Sequence, residues 1–400
     1  MKITVKKGKY CGTVKAPPSK SAAHRLLICA GLAEGESIIH GISESEDMKA
    51  TLDCLSSLGA KYEKNGDTVK IVGVNPFSRR ETKLYCRESG STLRFFIPIC
   101  MLSEKEAVLT GSKTLLSRPL DVYGEIATEQ GIDFEKTDDE ILISGALSSG
   151  YFKVRGDISS QFISGLMFAL PLLEGYSVIE LIPPIASRSY IDMTVQSLLK
   201  FGVKVEFTED NRIIVPGGQK YKPAEVFAEG DWSNAAFFLA LDGLNNDVDV
   251  TGIHKDTLQG DSVIRKLLPR LARTCPTIDI DNCPDLAPII MAYAAAANGC
   301  ELIGTDRLKI KESDRGQAMA EELAKFGVKV KVGENRISVV APSELTPPNT
   351  PIHGHNDHRI VMACAILLTL TGGEIEGAEA VNKSYPNFFE DLSSLIKSDL

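Results

Sequence analysis

Basic side chains stand where several helices of this chain are predicted to begin. The clearest case reads PPSKSAAHR (17–25), in which Lys20 and Arg25 follow Ser19 and precede an apolar run that ends at Gly35. The first turn of a helix carries free N–H groups and a partial positive charge, so a cation there costs about 0.3–1 kcal/mol at an exposed site. An anion held between the cation and the helix end offsets that cost. The segment is therefore a candidate site for a phosphate or a carboxylate.

The same arrangement recurs along the chain. A single basic helix start is most often a solvated side chain, but its repetition in a chain of net charge −9 is typical of a protein that binds small anions. The further segments are ESGSTLRFF (88–96), LLSRPLDVYGEI (115–126), IASRSYIDM (185–193), KIKESDRGQAM (309–319) and HNDHRIVMA (355–363).

Carboxylates near these cations are candidates for proton transfer. In KESDR we expect Lys311 and Arg315 to share one helix face, with Glu312 beside them. Asp285 follows a proline and precedes a long apolar helix, where it is either a plain N-cap or a base.

Composition excludes several classes of function. The 400 residues, 43% of them hydrophobic, suggest two or three domains, and the acidic balance argues against a general nucleic-acid or membrane-surface role. Nine scattered cysteines without a C-x-x-C pair predict reduced thiols and a cytoplasmic protein. HGHNDH (353–358) does not have a standard zinc spacing, so we expect no metal and no cofactor.

Four segments share one pattern, which consists of a helix end, a glycine, a strand, a polar turn and a second strand. Three such units in each half predict two α/β domains, with one crossing near Glu229 and a ligand cleft between the domains. The four copies are 55–72, 126–144, 198–215 and 323–340, with a degenerate fifth at 267–281 and the helix of a sixth at the chain end.

The motifs together resemble the 5-enolpyruvylshikimate-3-phosphate synthases of the enolpyruvyl transferase family. The resemblance covers nearly the full length and includes GDISSQFISGLMFALPL, PDLAP and NKSYPNFFEDL besides the segments above. It implies an inverse α/β barrel fold of two domains, each with three βαβαββ units: 1–17 plus 229–400, and 18–228. It also implies transfer of enolpyruvyl from phosphoenolpyruvate to shikimate 3-phosphate by a metal-independent, monomeric enzyme.

The resemblance also implies a set of site residues. Asp285, Glu312 and Lys20 would be catalytic. The contacts to shikimate 3-phosphate would be Lys20, Ser21, Arg25, Ser159, Ser160, Gln161, Ser187, Tyr190, Asp285 and Lys311. The contacts to phosphoenolpyruvate would be Lys20, Gly90, Arg118, Gln161, Arg315, Arg359 and Lys383.

Two positions depart from the family pattern, and two other functions stay open. Glu88 and Arg307 stand where members often have Asn, so the sequence predicts neither their contacts nor the response to glyphosate. One alternative is the sister enzyme that acts on UDP-N-acetylglucosamine, which would use a loop cysteine; here Cys86 is more simply a buried residue. The other is an anion-binding scaffold without catalysis, which would not need Asp285 and Glu312.

We expect turnover to survive chelation, because the candidate site is rich in Arg and Lys and contains no metal-ligand set. The measurement is phosphate release before and after treatment with EDTA. Loss of activity that a divalent ion restores would contradict this and favour a metal at residues 353–358.

Overall fold

The chain is described by a computed structural model at residues 1–78 and 80–397. It divides into two compact units. We call Met1–Pro17 with Gly230–Leu400 the discontinuous unit, and Pro18–Glu229 the continuous unit. No helix of the described residues is long and apolar enough to cross a membrane.

Strands and helices are interleaved along both units. The strands are β1 (Lys2–Val5), β2 (Cys11–Lys15), β3 (Glu36–His40), β4 (Lys61–Asn65), β5 (Thr68–Val72), β6 (Thr82–Tyr85), β7 (Ala107–Thr110), β8 (Asp133–Lys136), β9 (Glu140–Ser144), β10 (Tyr151–Arg155), β11 (Tyr176–Ile182), β12 (Glu206–Phe207), β13 (Arg212–Pro216), β14 (Glu225–Phe227), β15 (Asp247–Thr251), β16 (Thr277–Asp279), β17 (Cys300–Ile303), β18 (Lys329–Gly333), β19 (Arg336–Val340), β20 (Ile352–His353) and β21 (Gly373–Glu376). The α-helices are α1 (Lys20–Gly31), α2 (Glu46–Leu58), α3 (Gly90–Cys100), α4 (Lys113–Leu116), α5 (Asp121–Gln130), α6 (Ser160–Ala169), α7 (Arg188–Lys200), α8 (Trp232–Gly243), α9 (Ile264–Leu271), α10 (Ala287–Ala296), α11 (Arg315–Ala324), α12 (His358–Thr371) and α13 (Phe388–Ser394). Short 3₁₀ helices lie at Pro76–Ser78, Leu170–Leu172, Gly260–Val263, Pro284–Leu286, Asp306–Ile310 and Ala378–Lys383.

Four sheets share the same strand order. The orders β14-β3-β5-β4, β6-β7-β9-β8 and β10-β11-β13-β12 in the continuous unit match β16-β17-β19-β18 in the discontinuous unit. In each of them the first pair is parallel and the other two pairs are antiparallel. The discontinuous unit adds β1-β21-β20 and the pair β15-β2, so β1 and β2 complete sheets with strands that follow the continuous unit in the sequence.

The predicted helix–glycine–hairpin unit is confirmed in its four clear copies. In each copy the glycine that follows the helix has a positive φ, which a residue with a Cβ rarely adopts. The glycines are Gly59 (110°), Gly131 (68°), Gly202 (78°) and Gly327 (79°).

Two local predictions are wrong. The fifth copy contains no hairpin, because β16 follows α9 and starts a new sheet by pairing in parallel with β17. Helix α1 ends at Gly31 rather than Gly35. Gly31 lies against α2, where a Cβ would stand 2.3 Å from Leu55 Cδ2, whereas Gly35 has a φ of 127° shortly after the helix.

Each unit has its own hydrophobic core, with helices inside and sheets outside. Phe162–Ala169 of α6 and Ile360–Leu368 of α12 are fully buried, so these helices are apolar on every side. The strands instead alternate, as in β9, where Ile141 and Ile143 are buried and their neighbours are partly exposed. Burial of α12 as a whole fixes the position of its first residues, which carry the basic HNDHRIVMA motif.

We expect Gly31→Ala to destabilise the continuous unit by about 1–3 kcal/mol, because the new methyl group overlaps Leu55 in a close-packed helix pair. Urea unfolding measures the change. Gly150→Ala is the control, since a Cβ there meets nothing within 4 Å. Equal midpoints for the two variants would contradict the close approach of α1 and α2.

Candidate active site

A buried arginine with three carboxylates organises the candidate site of the discontinuous unit. The Arg315 side chain is 1% exposed. Its Nη1 lies 2.7 Å from Asp285 Oδ1, its Nη2 lies 2.7 Å from Glu312 Oε2, and its Nε lies 2.9 Å from Asp357 Oδ2. Burial disfavours the guanidinium charge, but the three carboxylates outweigh it and hold the pKa of Arg315 well above its usual value.

Asp357 connects this cluster to the start of α12. It is the N-cap of the helix and is fully buried, and its Oδ1 accepts the Arg359 backbone N–H at 2.9 Å. Its Oδ2 also accepts the Ser313 hydroxyl at 3.0 Å. One carboxylate therefore caps a helix and fixes Arg315 at once.

Asp285 lies among cations and does not cap a helix. Helix α10 has Leu286 as its N-cap residue, and no side chain caps it. Asp285 Oδ1 lies 3.3 Å from Lys311 Nζ, and its Oδ2 lies 3.8 Å from Arg359 Nη2. Burial raises the pKa of Asp285, but the charges of Lys311, Arg315 and Arg359 outweigh burial and hold that pKa well below its usual value.

The expected common helix face of Lys311 and Arg315 is wrong. Helix α11 begins at Arg315, with Asp314 as its N-cap, so Lys311 and Glu312 lie in the preceding loop. The Asp314 side chain accepts the Gln317 N–H at 3.1 Å and so caps the helix, which makes Arg315 its first residue. The loop still brings Lys311 and Glu312 to Asp285 and Arg315.

Burial lowers the pKa of Lys311, and its neighbours act on it in both directions. Asp285 and Glu312 raise that pKa, whereas the charges of Arg315 and Arg307 lower it. Arg307, one of the two departures from the family pattern, also donates from Nη1 to the Asp281 carbonyl oxygen at 3.1 Å. Its charge therefore acts on the site through Lys311.

Arg359 and Lys383 complete the candidate cations of this unit. Arg359 is buried; its Nη2 donates to Ser233 Oγ at 2.6 Å and its Nη1 to Asn234 Oδ1 at 3.2 Å. Lys383 ends the 3₁₀ helix Ala378–Lys383 and donates to the Asn356 carbonyl oxygen.

In the continuous unit, Gly90 and Arg118 lie side by side. Gly90 is the first residue of α3, after the N-cap Ser89. A Cβ at Gly90 would stand 2.7 Å from Arg118 Nη1. Arg118 is 8% exposed, and its Nε and Nη2 are buried without a hydrogen-bond partner among the described residues. A buried guanidinium with unused donors beside a helix start has the chemistry of an anion site.

Gln161 is held in place by Arg94, a residue outside the predicted site. Arg94 Nη1 donates to Gln161 Oε1 at 2.8 Å, and Gln161 Nε2 donates to Ser91 Oγ at 2.9 Å. The signal was available, because Arg94 is the basic residue of the ESGSTLRFF segment. Ser159 caps α6 by accepting the Gln161 N–H at 3.3 Å, and Ser160 is the first residue of that helix.

The two cations of the first basic segment have different partners. Lys20 Nζ lies 2.9 Å from Asp47 Oδ2 of α2. Arg25 is buried and bound by the protein: Nε donates to Thr194 Oγ1 at 2.8 Å and Nη1 to the Ser21 carbonyl oxygen at 2.7 Å. Burial lowers the pKa of Arg25 to about 10. Arg25 therefore supports the junction of α1 and α7.

Tyr190 and Ser187 lie at the start of α7. The Tyr190 carbonyl oxygen accepts from Arg25 Nη2 at 3.0 Å, and its ring centroid lies 5.8 Å from the Arg25 guanidinium carbon. Ser187 precedes the helix in a left-handed conformation, with a φ of 55°. The structure thus joins Tyr190 to Arg25 through a backbone contact.

Comparison with known proteins decides the family. The sequence pattern of the family described as EPSP synthase (3-phosphoshikimate 1-carboxyvinyltransferase) matches residues 5–275 and 272–392. Proteins named 3-phosphoshikimate 1-carboxyvinyltransferase from Clostridium kluyveri and Clostridium acetobutylicum are 39% and 40% identical to the chain. The first alignment covers 98% of this chain and 97% of the relative, and the second covers 96% and 95%.

The chain belongs to the EPSP synthase family. The solved structure of EPSP synthase from Acinetobacter baumannii has the same fold, with a TM-score of 0.80 over 99% of this chain and 98% of that chain at 24% identity. The predicted family and fold class are confirmed.

Cys86 and the histidines of residues 353–358 have structural surroundings. Cys86 is buried, 4.0 Å from the Cys54 sulfur, which confirms its interpretation as a buried residue. His355 Nε2 lies 2.9 Å from Glu322 Oε1, and the rings of His353 and His355 pack edge to face. In the described part of the chain, no group of three His, Cys, Asp or Glu side chains is placed to hold a metal ion.

We expect Gly90→Ala to weaken anion binding while the fold stays intact. The new methyl group overlaps only the end of the flexible Arg118 side chain, so the guanidinium moves and the helix does not. Calorimetric titration of inorganic phosphate measures the binding. Gly124→Ala in α5 is the control, because its Cβ would make one ordinary contact at 3.9 Å with Phe134. Unchanged phosphate affinity in Gly90→Ala would count against Arg118 as an anion ligand.

Proposed function

We propose that the chain transfers the enolpyruvyl group of phosphoenolpyruvate to the 5-hydroxyl of shikimate 3-phosphate and releases phosphate. The observation that carries the proposal is the pair of carboxylates, Asp285 and Glu312, bound to one buried guanidinium beside Lys311. Anionic substrates need the cations, and the chemistry needs two groups that exchange protons. The names of the relatives, 3-phosphoshikimate 1-carboxyvinyltransferase, agree with this reaction.

The proposal divides the site residues between the two substrates. Shikimate 3-phosphate binds to Lys20, Ser21, Arg25, Ser159, Ser160, Gln161, Ser187, Tyr190, Asp285 and Lys311. Phosphoenolpyruvate binds to Lys20, Gly90, Arg118, Gln161, Arg315, Arg359 and Lys383. Arg118 supports the second assignment most directly, because its Nε and Nη2 have no hydrogen-bond partner among the described residues.

The first step adds the hydroxyl across the double bond of phosphoenolpyruvate. Glu312 gives a proton to the methylene carbon, which leaves a cationic centre on the neighbouring carbon. Asp285 takes the proton of the 5-hydroxyl as its oxygen forms a bond to that centre. The product of this step is a tetrahedral adduct that still carries the phosphate.

The second step reverses the proton transfer. Glu312, now a carboxylate, removes a proton from the methyl group, and the electron pair forms the double bond as the C–O bond to phosphate breaks. Asp285 returns its proton to the leaving phosphate. Arg118, Arg315 and Arg359 stabilise the charge that develops on the departing group.

Substrate binding adjusts Asp285 to its role. Its low pKa depends on the nearby charges of Lys311, Arg315 and Arg359, so in the absence of substrate it is a weak base. Bound anions pair with these cations and reduce their effect on the carboxylate. The pKa of Asp285 then rises toward a range in which it accepts a proton.

Glu312→Gln is expected to lower turnover by about 10²–10⁴-fold, because an amide of the same size neither gives nor takes a proton. Binding of both substrates should stay equal or become slightly tighter, since a negative charge leaves a cationic site. Steady-state kinetics and calorimetric titration measure the two effects. Near-normal turnover, or a defect due only to lost binding, would rule out Glu312 as a proton carrier.

Two variants provide the controls. Glu321→Gln changes an exposed glutamate of α11 and should leave turnover unchanged. Lys383→Met should instead raise the KM for phosphoenolpyruvate, because a contact to its phosphate or carboxylate is lost.

The reaction itself is tested by phosphate release with shikimate 3-phosphate and then with UDP-N-acetylglucosamine. Release only with the nucleotide sugar, or with neither acceptor, would overturn the proposed function.

A further inference from the structure

Asn234 lies between two segments that carry cations of the site. It belongs to the first turn of α8 and is fully buried. Its Oδ1 accepts from Arg359 Nη1 at 3.2 Å, and its Nδ2 donates to Ser384 Oγ at 3.1 Å. Arg359 is near the start of α12, and Ser384 directly follows Lys383. Neither of these partners is close to Asn234 in the sequence, so no local pattern indicates this position.

The two contacts of Asn234 require an amide. A guanidinium only donates hydrogen bonds, so the side-chain oxygen must face Arg359, and the NH₂ group then faces Ser384. The adjacent Ser233 supports the same guanidinium: its Oγ accepts from Arg359 Nη2 at 2.6 Å and donates to the N-cap Asp231. The edge of Arg359 that carries both Nη atoms is therefore bound by two successive residues of α8.

The remaining surroundings of Arg359 leave part of its guanidinium for a ligand. Its Nη2 is 3.8 Å from Asp285 Oδ2, longer than a hydrogen bond. Its Nε is buried and has no hydrogen-bond partner among the residues that the structure describes. α8 thus holds the side chain in one orientation. Asp285 is too far away for a hydrogen bond, so the positive charge of Arg359 is not closely paired.

We propose that Asn234 is a positioning residue that holds Arg359 and the Lys383 segment at a fixed spacing for the anionic groups of phosphoenolpyruvate. This inference rests on the proposed function, which assigns Arg359 and Lys383 to that substrate. Asn234 acts through Arg359 and Ser384. A ligand with two anionic groups, phosphate and carboxylate, binds best when the spacing of its cations is set before it arrives.

The test compares Asn234→Ala with the wild type. A hydrogen bond to a charged group contributes about 1.5–3 kcal/mol, so the KM for phosphoenolpyruvate should rise about 10- to 100-fold. The KM for shikimate 3-phosphate should stay unchanged, because Arg359 and Lys383 are not assigned to it. An unchanged KM for phosphoenolpyruvate, or an equal rise for both substrates, would overturn the proposal.

The matched control is Asn246→Ala. Asn246 follows α8; its Oδ1 accepts the Tyr10 N–H at 2.8 Å and its Nδ2 donates to the Leu241 carbonyl oxygen at 2.8 Å. This variant should lower stability and leave both KM values unchanged. A rise in the KM for phosphoenolpyruvate in Asn246→Ala as large as that in Asn234→Ala would overturn the proposal, because general loosening of the unit would then explain both.

Ser384→Ala tests the second contact and is milder if Asn234→Ala fails to fold. It should raise the KM for phosphoenolpyruvate about two- to tenfold, the effect of one neutral hydrogen bond. The double variant should be no worse than Asn234→Ala alone, since that change already breaks the link. Additive effects would show that Asn234 and Ser384 act separately, against the proposal.

Failure of the proposed function is distinguishable from failure of this inference. If the wild type releases no phosphate from phosphoenolpyruvate, the function is wrong, but calorimetric titration of phosphoenolpyruvate still compares the variants. Weaker binding by Asn234→Ala, with wild-type affinity in Asn246→Ala, then supports the positioning role. Equal affinity in all three proteins overturns it.

Discussion

The discontinuous unit depends on one requirement: the guanidinium of Arg315 is buried, so its charge must be paired. Taking an ion out of water costs several kcal/mol, and removing one partner from a buried pair costs about 3–5 kcal/mol. Asp285, Glu312 and Asp357 meet that requirement from three separate stretches of chain. The stability of the ion cluster thus fixes the relative positions of the two carboxylates that we assign to proton transfer. A site built this way is rigid before any substrate arrives.

The continuous unit shows that two buried arginines with similar sequence settings have different roles. Arg25 follows the serine and lysine of one helix start, and each of its three nitrogens has a partner in the protein. Arg118 precedes a proline in the segment between α4 and α5, and two of its nitrogens have no hydrogen-bond partner among the described residues. Hydrogen bonds that are already made leave little for a ligand, whereas unmade ones favour it. The proposed contact of Arg25 to shikimate 3-phosphate therefore has weaker support than the contact of Arg118 to phosphoenolpyruvate.

The sequence predicted the features that residues close together in the chain determine. It did not predict contacts between residues that are far apart in the chain. The helix–glycine–hairpin units were predictable, because a glycine after a helix and a polar turn between two strands act locally. The start of α11 was predicted too early, because the i,i+4 spacing of Lys311 and Arg315 suggested a shared helix face, whereas Asp314 caps the helix and Lys311 precedes it. Asp357 was missed as the partner of Arg315, since 42 residues separate the two and a helix cap already explains an aspartate there. The resemblance to a family supplied candidate residues across such distances, but not their partners.

The discontinuity of one unit has a consequence for how the protein is made. β1 pairs with β21 and β2 pairs with β15, so these two strands, which precede the continuous unit, meet their partners only after that unit has been synthesised. The continuous unit, Pro18–Glu229, has all of its strands by then and is free to fold first. Until β21 has been synthesised, β1 has no partner strand. Lys2 and Lys6, at its two ends, disfavour pairing with another chain. The discontinuous unit therefore completes its sheets only after the continuous unit has been made: β2 pairs once β15 is available, and β1 pairs once β21 is available.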